Sequence, residues 1–115
     1  ACAAALATLA IHAREDLPGR AARLSGHWEA ATHALRGLPG VIDIRNFGLV
    51  GAIEFEADAT RSPTRAYDIF HACFERGLLA RVTGNVLAFS PPLTIDPSQV
   101  DELFSILVSA IRATP

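Results

Sequence analysis

Apolar residues recur at helical spacing through the first third of the chain, and then the period changes. Over residues 1–16 Leu6, Leu9, Ala10 and Ala13 sit three or four positions apart in an alanine-rich run, and alanine has the best helix propensity. Leu17-Pro18-Gly19 interrupts that pattern. A second helix is predicted over 18–36, where Leu24, Trp28, Ala31, Leu35 and Leu38 form one stripe at alternating spacings of four and three. Gly37-Leu38-Pro39-Gly40 stops it.

Beyond residue 40 the alternation is of strand type. Ile42 and Ile44 alternate with Asp43 and Arg45, and Ile53 and Phe55 with Glu54 and Glu56, about the turn residues Asn46-Phe47-Gly48. This reads as a β-hairpin with one face packed and one wet. Gly48 and Gly51 bracket the start of its second strand, where glycine marks a positive φ or a close backbone approach. Ser62-Pro63 is the expected cap of a third helix, with Ala66, Ile69, Phe70 and Cys73 on its buried face and Gly77 as its stop. Two short strands, 78–82 and 86–90, follow about Thr83-Gly84-Asn85, and Ser90-Pro91-Pro92 ends the ladder. Asp96-Pro97 caps a last helix in which Val100, Leu103, Phe104, Leu107, Val108 and Ile111 follow helical spacing.

The order is α-α-β-β-α-β-β-α with short connections, which predicts one α+β domain over 1–115: helices packed on a small antiparallel or mixed sheet of about four strands. Of the 115 residues 50% are apolar, so some apolar surface is expected to be covered by another body. The first helix reads as a buried one, and at about 16 residues it falls short of a bilayer span. The net charge of -2, with scattered basic residues, gives no footprint for nucleic acid. Two cysteines, Cys2 and Cys73, make no CxxC pair, which points to a reduced, cytoplasmic setting. The start at alanine and the absence of methionine suggest a piece of a longer protein.

Few constellations carry chemistry. Gly37 to Gly40 and Gly48 to Gly51 are too closely spaced for a phosphate loop and read as turns. Glu54 and Glu56 read as solvated hairpin surface. His12, His27, His33 and His71 do not share a helical face as a metal pair requires, so no metal site is expected, and no catalytic residue is assigned. Arg81 stands apart. It lies within the apolar stretch Leu78-Leu79-Ala80-Arg81-Val82, on the face of Leu79, where burying a guanidinium costs several kcal/mol unless an anion meets it. The alternative is an arginine that snorkels to the sheet edge.

At that residue the chain resembles a family. GLLARVTGNVLAFSPPLTIDPSQVDELFSIL is similar to the closing stretch of class III aminotransferases of the omega-amino-acid type: a strand arginine, a Gly-Asn turn, a strand ending in Ser-Pro-Pro-Leu and an Asp-capped helix. RNFGLVGAIEFE resembles that family's Arg-x-x-Gly-Leu-x-Gly stretch, and ACAAALATLAIHARED the helix that opens its C-terminal small domain. The three motifs in order cover the whole chain.

The resemblance implies a homodimeric enzyme whose large domain holds pyridoxal phosphate as a Schiff base with a lysine and moves an amino group from an omega-amino acid or amine to a keto acid such as pyruvate. It also implies that Arg81 binds the substrate carboxylate, a role suited to the guanidinium fork. The family's lysine, phosphate loop and pyridine-binding aspartate have no counterpart here, and all ten basic residues are arginines. The expectation is therefore the small domain of a transaminase, inactive by itself. The rival readings are a small-molecule-sensing regulatory module and a dimerisation domain.

Overall fold

Asp16 is the joint on which the helical half turns. It closes the first helix, α1 (Cys2–Arg14), and takes a left-handed conformation with φ of 46°. From there its side chain accepts a hydrogen bond from the Gly19 amide and caps α2 (Leu17–His33). The sequence pattern placed Asp16 inside the first helix and carried the second to residue 36; the αL joint and the turn after His33 shorten both. Pro18 sits in the first turn of α2, where a missing N–H costs nothing.

The structure, a computed structural model, describes residues 1–60 and 64–114. After α2 come β1 (Val41–Phe47), β2 (Val50–Phe55), α3 (Arg65–Glu75), β3 (Arg81–Thr83), β4 (Val86–Phe89) and α4 (Pro97–Ala113). This is the predicted order. The sheet is antiparallel throughout, with spatial order β1-β2-β4-β3, so the chain returns from α3 to the far edge and comes back to lie beside β2.

The expected cap at Ser62-Pro63 lies outside the described residues; the residue that caps α3 is Thr64, whose hydroxyl also donates to the Gly84 carbonyl and ties the helix start to the β3–β4 turn. At the other end Gly77 has φ of 86°, and the Leu78 and Gly77 amides donate to the Cys73 and Phe74 carbonyls. That pair of bonds is a Schellman stop. Asp96 and Gln99 form a reciprocal capping box at α4, and bonds from Ser98 and the Gln99 amide hold the Asp96 carboxyl below the usual range.

The sheet is covered on one face only. Ile44, Ile53, Phe55, Leu87 and Phe89 point inward and meet Trp28, Ile69, Cys73, Val100, Phe104 and Leu107 from α2, α3 and α4. Trp28 and Phe104 pack edge to face with centroids 5.2 Å apart. Removing either ring would cost about 3–5 kcal/mol. The helix expected to be buried is not: α1 has no buried residue, and Leu6 and Leu9 are 68% and 65% exposed, because its main contact is with α2. No helix among the described residues is long and apolar enough to cross a membrane.

Candidate functional site

The hairpin β3–β4 is shorter than its apolar pattern predicts, and its early opening makes a cleft. Leu78 to Ala80 were expected to be strand, yet pairing begins only at Arg81, opposite Ala88. β4 ends at Phe89 because Pro91 and Pro92 have no N–H to offer a ladder. The segments on either side therefore diverge below the Arg81–Ala88 rung. The gap is floored by α4 through Leu103 and Ile106 and has a volume of about 930 Å³. Its lining is mainly apolar, with Leu79, Ala80, Val50, Pro91 and Pro92 among the walls.

One wall is braced from a distance. The Arg20 guanidinium on α2 donates to the carbonyls of Thr94 at 2.9 Å and Ile95 at 3.2 Å, and both residues line the cleft. The turn closed by the Ile95 amide on the Pro92 carbonyl fixes the same rim.

Two arginines reach this cleft and differ in their occupation. Arg76 donates to the Ala72 carbonyl of its own helix at 2.7 Å. The Arg81 side chain, on the last rung at the mouth, has no hydrogen-bond or ion-pair partner among the described residues. The sequence placed Arg81 in a buried setting; here it is exposed, as is Leu79 at 75%, because none of the described residues covers the second face of the sheet. The desolvation cost that singled it out is thus absent in this chain. What remains is an open guanidinium beside an apolar pocket, able to take a carboxylate through two parallel N–H bonds.

Arg45, to which the sequence pattern assigns no role, is the other prominent group on that open face. It donates to Glu54 at 2.9 Å and to Asp43, and the bonds to Glu54 and then Asp43 raise its pKa further. Cross-strand charge alternation was the available signal, since Arg45 lies opposite Ala52, two rungs from the Asp43–Glu54 pair and on the same face. Of the four histidines, His27 bonds to Asp101 at 2.7 Å, His33 to Asn46 at 2.8 Å, and His71 lies edge-on to Tyr67, so the structure brings no two of these three together.

Pyridoxal phosphate needs a primary amine for covalent attachment. The polar lining of the cleft is Arg76, Arg81, Ser90, Thr94, Gln99 and Glu102, and every basic residue of the chain is arginine. The side chains present do not fit a covalently held pyridoxal phosphate.

The model of the aminotransferase class-III family matches residues 1–111. An omega-aminotransferase of Caulobacter vibrioides is 46% identical over 103 residues, which are 90% of this chain and 24% of that protein. A beta-alanine–pyruvate aminotransferase of Pseudomonas aeruginosa is 37% identical over 112 residues, 97% of this chain and 25% of that protein. Among solved structures, an adenosylmethionine-8-amino-7-oxononanoate aminotransferase from Methanocaldococcus jannaschii superposes with a TM-score of 0.87 at 29% identity, over 98% of this chain and 27% of that one. A PMP-bound aminotransferase from Vibrio fluvialis gives a TM-score of 0.86 at 26% identity, over 97% and 26%. The chain spans about a quarter of the length of the curated relatives it matches.

Proposed function

Since this chain belongs to the class III aminotransferases, we propose that it is the C-terminal small domain of a pyridoxal-phosphate enzyme that transfers an amino group from an omega-amino acid or amine to a keto acid such as pyruvate. Its part is to close over the active site and to bind the substrate carboxylate through Arg81. The cofactor and its lysine belong to the larger domain, and the complete enzyme works in the cytoplasm as a homodimer. The one observation that carries the assignment is the free guanidinium of Arg81 at the mouth of an apolar cleft. The names of two relatives, beta-alanine–pyruvate and omega-amino acid–pyruvate aminotransferase, support the substrate class. Such substrates pair a carboxylate with a short carbon chain, which matches a charged mouth and an apolar interior.

In the complete enzyme, Arg81→Ala is expected to weaken carboxylate-bearing substrates by about 1.5–3 kcal/mol, a factor of about 10 to 150. Amine donors that lack a carboxylate should lose little. Steady-state kinetics on both kinds of donor decide, and equal losses would make Arg81 structural.

A further inference from the structure

Register places the two guanidiniums of the open sheet face in a single lateral row. Arg45 lies opposite Ala52, Ala52 opposite Ala88, and Ala88 opposite Arg81. Directly opposed residues of antiparallel strands share a face, so two alanines form a low floor between the two arginines. The adjacent row runs Asp43, Glu54, Val86, Thr83. Both carboxylates of that row are engaged by Arg45.

The distances make this engagement matter. Glu54 and Arg81 are two strands apart across the sheet and two residues apart along it, a Cα separation of about 12 Å. Extended glutamate and arginine side chains close such a gap, and only Val86 and Ala88 stand between them. A carboxylate tethered this closely has an effective concentration in the millimolar range, comparable with the upper range of enzyme KM values. Left free, Glu54 would compete with the substrate for Arg81.

We infer that Arg45 is a positioning residue: by drawing Glu54 toward β1 it keeps that carboxylate off Arg81 and leaves that guanidinium open to the substrate. The inference rests on the reading of Arg81 as the carboxylate-binding group.

The test uses the complete enzyme and three variants, Arg45→Gln, Arg45→Gln with Glu54→Gln, and Arg81→Gln, each assayed with a carboxylate-bearing donor and with an amine lacking a carboxylate. Arg45→Gln should raise KM for the carboxylate-bearing donor about fourfold, the scale of one exposed ion pair, with kcat and the plain amine unchanged. The double variant should bring KM back to within about twofold of the starting enzyme. No rise in KM, an equal rise for both donors, or a double variant that fails to recover overturns the positioning role. If Arg81→Gln separates the two donors while Arg45→Gln does not, only this inference falls. If Arg81→Gln does not separate them, the carboxylate assignment falls and the inference with it.

Discussion

The indole of Trp28 lies so close beneath Gly51 that a Cβ at position 51 would stand 3.3 Å from Nε1 and 3.4 Å from Cζ2. Trp28 is fully buried and packed against Phe104, so it has little room to yield. Gly51→Ala is therefore expected to destabilise the fold by about 1–3 kcal/mol. Gly26, in the middle of α2, meets nothing within 4 Å, and Gly26→Ala should stabilise by about 0.5–1 kcal/mol through the unfolded chain. Urea denaturation of the two variants gives opposite shifts if the contact at Gly51 is as tight as the structure shows.

With no lysine side chain to attach it, pyridoxal phosphate added to this chain should support no transamination of beta-alanine with pyruvate. Formation of alanine, followed by chromatography, is the check, and turnover above the cofactor alone would contradict the assignment of this chain as a partial enzyme.

Burial pushes the Cys73 thiol from the usual 9.0 to about 11, against a smaller opposing pull from Arg76. The neutral form is thus favoured by folding, and the unfolded chain releases its proton first as pH rises. The associated stability is complete below pH 9, falls progressively between pH 9 and about 11, and amounts to about 2–3 kcal/mol. Denaturant midpoints at pH 8 and pH 10.5 should differ accordingly, and the difference should shrink in Cys73→Ala. In alkylation at pH 8, exposed Cys2 should react fast and Cys73 only on global unfolding.

A helix of 13 residues with none buried is marginal in water even when rich in alanine. Hydrogen exchange on dilute protein is expected to show its least protection over residues 2–14, with protection rising as concentration brings the exposed Leu6 and Leu9 of different molecules together. Slow exchange there at every concentration would contradict this.

Periodicity alone was enough to order the eight elements, because each helix and strand carries its own stripe or alternation and its own stop, as at Gly77 and Pro91. What it misjudged depends on bodies beyond one element. Arg81 and the first helix were read as buried from apolar neighbours in sequence, but burial is decided by what covers a face: among the described residues the face of Arg81 is left open and α1 meets chiefly α2. Asp16 was read as helical because a left-handed non-glycine residue has no marker in the apolar pattern. The Arg45–Arg81 row was invisible for a further reason. It runs through the pairing of β2 with β4, strands separated by a helix and another strand, and no local rule sets that register.

The prolines at 91 and 92 give the cleft an unusual independence. Pro91 and Pro92 have no amide protons to continue the ladder, so the backbone itself contributes to the opening. The guanidinium proposed to bind the carboxylate, Arg81, stands on a different strand, β3. On that proposal the Pro91–Pro92 wall and the guanidinium are written in separate parts of the sequence, so that wall can be exchanged while the guanidinium stays in place. If Arg81 binds the carboxylate as proposed, a change in that wall alters what fits beside it in a small step that leaves the charge intact.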